Sequence, residues 1–280
     1  MSQIKDEEGG KNDGHCSMKR IKVDDEKSKA CDIKDARDIL QLFEAYATEL
    51  DDKHNRFERI VKFGRDITIE SKRIIFLLHT IDKSNQESVL NEANERLQKV
   101  AKTLFKSIAY ELENQDPYLY LKAYRNGLEE YVEAVTFYHY LKCDNMKSWL
   151  EIEKTLTYRN KNNKLDNIQV FVSPYEYMLG IADLTGELMR LCINNLATGD
   201  TASCYQTCNF VRDMYTQFLG CTNTSNRLLN RKLCTLEQNL HKIESVCYTI
   251  KVRGSEIPKH ILMDLVGEEH EDIDESNHTY

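Results

Sequence analysis

The sequence predicts an all-α protein, a bundle of about seven long amphipathic helices with disordered termini. Apolar residues recur at a period of 3.6 through most of the chain, which is the pattern of helices that bury one face. Only 3 Pro and 11 Gly occur among the 280 residues, so few residues interrupt these helices. The same observations disfavour a β-sandwich with many turns and a Rossmann fold.

Four helices are predicted in the first half of the chain. An apolar face runs from about residue 36 to residue 81 without a proline, and a regular apolar stripe covers residues 88–114. Asp116-Pro117 combines an N-cap with proline at the first helical position, and it opens a helix that reaches about residue 142. A shorter helix is predicted over about residues 147–157.

The second half begins with a predicted loop. Residues 158–166 are rich in Asn and Lys and lack periodicity, and residues 170–172 are too few to build a sheet. Ser173-Pro174 is a second N-cap with proline and opens a helix, and this helix ends at Thr198-Gly199-Asp200. Two further helices are predicted over about residues 202–219 and 225–252.

The predicted helical domain, residues 37–266, lies between two charged segments. Residues 1–36 mix 8 Lys/Arg with 9 Asp/Glu and are interpreted as a disordered arm. Its cluster Lys19-Arg20-Ile21-Lys22 is a candidate nuclear localisation signal, and the alternative is a solvated charged segment. Residues 267–280 are interpreted as an acidic tail.

Membrane and secreted classes of protein are disfavoured. No apolar run approaches the ~20 residues of a transmembrane helix, and the polar N-terminus has no apolar signal-peptide core. The nine Cys are odd in number and scattered, which favours reduced thiols in a cytoplasmic and nuclear protein without a membrane partner. Cys204 and Cys208 lie one turn apart, but no zinc spacing completes a site, so they are interpreted as core or surface thiols.

Two carboxylates occupy an unexpected position on the helix after Pro174. Apolar residues cover most of its circumference, which predicts burial on most sides. Yet Asp183 and Glu187 lie at i and i+4 on one face, where their charges repel each other. We expect compensation by Arg190, by a Lys or Arg from another helix, or by a divalent cation.

A similar pair lies on the helix after Pro117. Glu130 and Glu133 are spaced i, i+3 on a side that also carries large apolar residues. Two helices that each present a carboxylate pair inside a bundle can hold a hard cation, and four oxygen ligands favour Mg²⁺, Mn²⁺ or Ca²⁺ over zinc or iron. The alternative is that these acids are solvated or paired with arginines. A di-iron site is disfavoured because the nearest histidine, His139, has the wrong spacing.

Four blocks of sequence resemble the translin superfamily over about residues 38–266. They are RDITIESKR (65–73), EYVEA (130–134), ADLTGELMR (182–190) and KVRGSEIPKH (251–260). The resemblance implies a seven-helix translin-like fold and assembly with translin into a hetero-octamer. It also implies an Mg²⁺-dependent endoribonuclease, with Mn²⁺ as a possible substitute, whose catalytic and metal-binding residues are Glu130, Glu133, Asp183 and Glu187.

By the same resemblance, the substrates would be single-stranded RNA or nicked small RNA duplexes. These include the passenger strand of small interfering duplexes and tRNA precursors. Candidate phosphate contacts are Arg190, Arg125, Lys72 and Arg73, although a helical Lys or Arg is more often simply solvated. The net charge of −8 argues against RNA binding by the chain alone, so we expect the partner to supply most RNA contacts.

A second function remains open at this point. The long amphipathic helices and 15 Tyr also suit an extensive interface. The chain could then be a non-catalytic helical scaffold that stabilises translin and tethers other factors. The carboxylates discriminate between the two, because a scaffold does not require them to cluster on an inner face.

Overall fold

A computed structural model describes residues 22–160, 167–221 and 227–253, with side chains from residue 38 onward. Two runs of helix, α2 (Gln86–Val100) and α3 (Lys106–Glu111), are joined by a π-helical turn, Ala101–Phe105, into one continuous rod. The described residues therefore form seven helical rods, which confirms the predicted all-α fold. The α-helices are α1 Lys22–Leu78, α2 Gln86–Val100, α3 Lys106–Glu111, α4 Pro117–Cys143, α5 Trp149–Thr155, α6 Pro174–Thr198, α7 Thr201–Leu219 and α8 Arg227–Arg253.

A small hairpin interrupts the helical order. Strand β1, Thr157–Arg159, pairs antiparallel with β2, Asn167–Gln169. The sequence prediction of a loop without strands was wrong here, because three-residue strands are too short to show an alternating pattern. Tertiary contacts hold the hairpin instead: Ile168 is buried, and the Tyr158 hydroxyl donates to the carbonyl of Ala101 at 2.6 Å.

The ends of the predicted domain lie partly outside the described residues. Helix α1 begins at Lys22, within the segment predicted as the arm of residues 1–36. Residues 1–21, which include most of the candidate nuclear signal, are not described, and neither is the predicted acidic tail, 267–280.

The chain divides into two compact units, residues 1–55 and 56–280. In the first unit, α1 exposes large apolar side chains at six positions: Ile39, Leu40, Leu42, Phe43, Tyr46 and Leu50. In the second unit, α6 packs against α4, α7 and α8, and α4 also contacts α2. None of the described helices combines the length and apolar character needed to cross a membrane.

The predicted caps fix where the two acid-bearing helices begin. The Asp116 side chain accepts a hydrogen bond from the backbone N–H of Tyr118 at 3.0 Å, at the start of α4. Ser173 accepts in the same way from Tyr175 at 3.1 Å, at the start of α6. Gly199 ends α6 with a φ of 76°, a left-handed conformation that glycine adopts without strain. All three caps were predicted from sequence.

Glycines permit close helix crossings at two places in the second unit. A Cβ added to Gly180 on α6 would lie 2.7 Å from the carbonyl oxygen of Glu129 and 2.8 Å from the Val132 side chain on α4. A Cβ on Gly127 would lie 2.6 Å from the carbonyl oxygen of Gly64 on α1. Helix α4 is therefore pressed against α6 on one side and against α1 on the other.

Four buried thiols lie where α6, α7 and α8 meet. Cys192, Cys204, Cys208 and Cys247 are all buried and free. The thiol of Cys204 donates to the carbonyl of Cys192 at 3.4 Å, and that of Cys247 to the carbonyl of Cys204 at 3.6 Å. Cys204 and Cys208 are thus core thiols, which was one of the two predicted interpretations.

Candidate metal centre

Helices α4 and α6 bring the four predicted carboxylates together. Glu130 and Glu133 lie on α4, and Asp183 and Glu187 lie on α6, one turn and two turns after Gly180. Burial first, and then the negative charges of Asp183, Glu130 and Glu187, raise the pKa of Glu133 to about 8. All four acids therefore lie within electrostatic reach of one another, and we call them the carboxylate cluster.

Glu133 is the buried member of the carboxylate cluster. The residue is only 8 % exposed, and among the described residues no Lys, Arg or His forms an ion pair with it. The charge of Lys72 lowers its pKa, but by less than burial and the neighbouring acids raise it. A buried carboxylate without a paired cation is costly in a folded protein, which suits a position where a cation binds.

Lysines from two other helices neutralise the neighbouring acids. Lys72 Nζ on α1 lies 2.8 Å from Oε1 of Glu130, and Lys232 on α8 forms an ion pair with Asp183. The hydrogen bond to Glu130, opposed by burial and supported by the charges of the cluster, raises the pKa of Lys72. Of the three compensating charges considered from sequence, two are therefore present: a Lys from another helix at Asp183, and Arg190 at Glu187.

A histidine holds the fourth acid. Nε2 of His79, just after α1, lies 2.5 Å from Oε2 of Glu187, and Arg190 lies 3.5 Å from the same oxygen. Burial acts to raise the pKa of Glu187, but the hydrogen bond from His79 and the charges of Arg190 and His79 outweigh it and lower the pKa. The ring of His79 also packs on Phe137, with centroids 4.9 Å apart, which fixes its orientation.

Sequence reasoning missed His79 and Lys232, although a helical signal existed for each. Lys72 and His79 are seven residues apart, so His79, one residue past the end of α1, lies in line with Lys72 on the side that meets the carboxylate cluster. Lys232 and Asn239 have the same spacing on α8, and Asn239 donates to the Thr185 hydroxyl on α6 at 3.1 Å. Polar residues at i and i+7 in an otherwise apolar stripe were the available clue.

The other candidate phosphate contacts lie in different surroundings. Arg125 lies 3.5 Å from both Glu129 and Glu176, so acids of the same region already pair with it. Glu176 is buried, and its Oε2 has no hydrogen-bond partner among the described residues. Arg73 is largely exposed and lies 3.6 Å from Glu70.

The donor atoms are of the chemical type that a hard cation prefers, but three of the four acids are at present bonded to lysines or to His79. In the described part of the chain, no three His, Cys, Asp or Glu side chains stand in an arrangement that would hold a metal ion. Three acids of the carboxylate cluster are engaged by Lys72, Lys232 and His79, and Glu133 is the one left unpaired. The set is all oxygen, which is the chemistry that Mg²⁺ and Mn²⁺ prefer.

Comparison with known proteins assigns the chain to a family. The model of the translin family matches residues 55–254. Translin-associated protein X of Pongo abelii is 40% identical over 259 residues, covering 87% of this chain and 89% of the relative. The protein of the same name from Mus musculus is 39% identical, covering 85% and 87%.

The fold comparison agrees with the sequence comparison. The structure of an AfC3PO–duplex RNA complex superposes with a TM-score of 0.60 at 20% identity, covering 77% of this chain and 99% of that one. At that identity the likeness concerns the helical fold alone. The resemblance of the sequence blocks to the translin superfamily is confirmed. The chain belongs to the translin family.

Proposed function

We propose that this chain is the metal-dependent endoribonuclease subunit of a hetero-oligomer with translin. The observation that carries the proposal is that Glu130, Asp183 and Glu187 lie around the carboxylate of Glu133, which is buried and forms no ion pair among the described residues. The name of the mammalian relatives, Translin-associated protein X, supports translin as the partner. The AfC3PO complex with duplex RNA supports RNA as the ligand of this fold.

The four acids would hold Mg²⁺, with Mn²⁺ as a substitute. A bound divalent ion supplies positive charge for the phosphate in the transition state and lowers the pKa of a coordinated water. A bound ion would replace Lys72 and Lys232 as the partner of Glu130 and Asp183, whereas His79 would orient Glu187 as a ligand. A carboxylate of the cluster that is not fully engaged can accept the proton of the attacking water.

RNA recognition is expected to be shared between subunits. The net charge of −8 is unfavourable for a chain that binds polyanions alone. We propose that the partner provides most contacts to single-stranded RNA or nicked duplexes, including passenger strands and tRNA precursors. We further propose both cytoplasmic and nuclear localisation, on the basis of the basic cluster near residue 20.

Cleavage of labelled single-stranded RNA by the full chain co-purified with translin tests the proposal. We expect cutting with Mg²⁺, and loss of cutting with EDTA or with Asp183→Ala. Asp213→Ala is the matched control, because Asp213 is an exposed acid on α7 outside the carboxylate cluster. Sedimentation would establish that each variant still assembles.

The competing function is a non-catalytic scaffold. The exposed apolar residues of α1 between Ile39 and Leu50 favour it, because such a surface is suited to a protein partner. Cutting that persists in Asp183→Ala at the wild-type rate would move the activity to another subunit. The present chain would then be the scaffold.

A further inference from the structure

Helices α1 and α2 form a groove beside the carboxylate cluster. One part, of about 310 Å³, is lined by residues that include Glu70, Arg73, Arg96 and Lys99. A second part, of about 450 Å³, is lined by Lys72, Arg73, Phe76, Leu77, Thr80 and Arg96. The two parts share Arg73 and Arg96 in their linings, so they are adjacent, and together we call them the α1–α2 groove.

The α1–α2 groove is locally basic in an acidic chain. Its lining includes four cationic residues, Lys72, Arg73, Arg96 and Lys99, against two acids, Asp66 and Glu70. The sequence does not reveal this patch, because two of the cations come from α1 and two from α2. The local charge therefore suits a polyanion, although the net charge of the whole chain does not.

Glu70 organises the two arginines. Its Oε1 accepts from Nε of Arg96 at 2.8 Å, and its Oε2 lies 3.6 Å from Arg73. One carboxylate thus holds two guanidinium groups on opposite walls. Nη1 of Arg96 also lies 3.6 Å from Oε1 of Glu92, whereas the side chain of Arg73 remains 67 % exposed. Guanidinium groups held this way are suited to phosphate oxygens.

An exposed aromatic ring lies in the same groove. Phe76 is 74 % exposed, although it follows two buried isoleucines on α1. The ring of Phe76 is not part of the hydrophobic core, and cationic side chains border it. Proteins bind single-stranded nucleic acid with such an arrangement, because unpaired bases stack on the ring. A duplex presents no free base face to such a ring.

The α1–α2 groove adjoins the carboxylate cluster through one residue. Lys72 lines the groove, and its Nζ lies 2.8 Å from Glu130. We infer that this groove binds single-stranded RNA, with Arg73, Arg96 and Lys99 on the phosphates and Phe76 stacked on a base, and delivers the strand to the carboxylate cluster. This inference rests on the proposed endoribonuclease function and adds a substrate path to it.

The test measures binding separately from cleavage. Fluorescence anisotropy of a labelled single-stranded oligoribonucleotide would be recorded with the full chain in its translin complex, in EDTA. We expect Phe76→Ala to weaken binding roughly tenfold, as loss of one stacked base does. We expect Lys99→Glu to weaken it and to reduce the slope of log affinity against log salt by at least ~0.7.

Each variant has a matched control. Lys102→Glu makes the same charge change three residues from Lys99, at an exposed position outside the lining of the groove. Tyr248→Ala removes an aromatic ring that is 67 % exposed on α8. Both controls should bind RNA like the wild type.

Wild-type affinity in Phe76→Ala and Lys99→Glu would overturn the inference. So would a loss of assembly in Phe76→Ala with unchanged RNA affinity of the remaining complex, because the groove would then be a protein interface. Failure of the inference is distinguishable from failure of the proposed function. The former leaves cleavage sensitive to EDTA and to Asp183→Ala, whereas the latter abolishes that sensitivity whatever the groove variants do.

Discussion

At the scale of single residues, the ionised form of Glu133 is disfavoured in the folded chain. Burial and three neighbouring acids raise its pKa to about 8, from an ordinary 4.5. Between those two pH values the folded state binds a proton that the unfolded state has lost. The stability of the metal-free chain should therefore fall as the pH rises from about 4.5 to about 8.

Glu133→Gln should remove that pH dependence while abolishing cleavage. The amide keeps the shape of the side chain but cannot ionise, so in EDTA at pH 7 the variant should be more stable by about 1–3 kcal/mol. Urea unfolding at several pH values would measure this, with Glu237→Gln on the exposed face of α8 as the control. A variant as pH-dependent as the wild type would contradict the assigned burial of Glu133.

His79 contacts Glu187, so in the proposed function we expect it to position a metal ligand. We expect His79→Ala to raise the Mg²⁺ concentration for half-maximal RNA cleavage by about tenfold or more, as loss of a group that orients a metal ligand does. A titration with Mg²⁺ measures the shift. His241→Ala, at an exposed position on α8, should leave the titration unchanged, and equal behaviour of the two variants would count against a positioning role.

At the scale of the elements, the α4–α6 crossing decides whether the carboxylate cluster exists. Gly180→Ala would place a Cβ 2.7 Å from the Glu129 carbonyl and force the two helices apart. We expect a loss of about 1–3 kcal/mol in the free energy of unfolding, as for other overpacked sites. The measurement is thermal or urea unfolding.

Another glycine of α6 provides the control for that crossing. A Cβ on Gly186 would meet only Asn239 Nδ2, at 3.7 Å, so Gly186→Ala should be neutral or stabilising by up to about 1 kcal/mol. If Gly180→Ala and Gly186→Ala lower the free energy of unfolding equally, close packing at Gly180 does not set the distance between α4 and α6.

The elements also show how far sequence reasoning reaches. Caps at Asp116 and Ser173 and periodic apolar faces are local signals, so the helices and the starts of α4 and α6 could be predicted, whereas the start of α1 at Lys22 was not. The hairpin of β1 and β2 could not, because burial of Ile168 rather than a pattern defines it. The π-helical turn at Ala101–Phe105 leaves the 3.6-residue period of the apolar side chains nearly intact on either side, so it could not be predicted either.

At the scale of the whole molecule, the candidate site was only half predictable. The four acids were evident because they lie on two apolar helices, and the superfamily resemblance assigned them a role. Lys232 and the α1–α2 groove depend on which helices meet, and a single sequence does not specify that. Tertiary arrangement, rather than residue type, was the missing information.

Metal binding should be visible without RNA. An ion that binds only the folded chain stabilises it by about 2.7 kcal/mol at a hundred times its dissociation constant, so Mg²⁺ or Mn²⁺ should raise the melting temperature and EDTA should reverse the rise. Asp183→Asn should lose the response, whereas Asp213→Asn should keep it. An equal rise in both variants would indicate binding elsewhere.

The buried thiols where α6, α7 and α8 meet can report how often these three helices separate. Cys192, Cys204, Cys208 and Cys247 are buried, whereas Cys143 and Cys234 are exposed. A thiol reagent should label the exposed pair at once and the buried four only when those helices separate. Because α6 carries both Cys192 and two acids of the carboxylate cluster, the labelling rate of Cys192 reports how often α6 separates from its neighbouring helices.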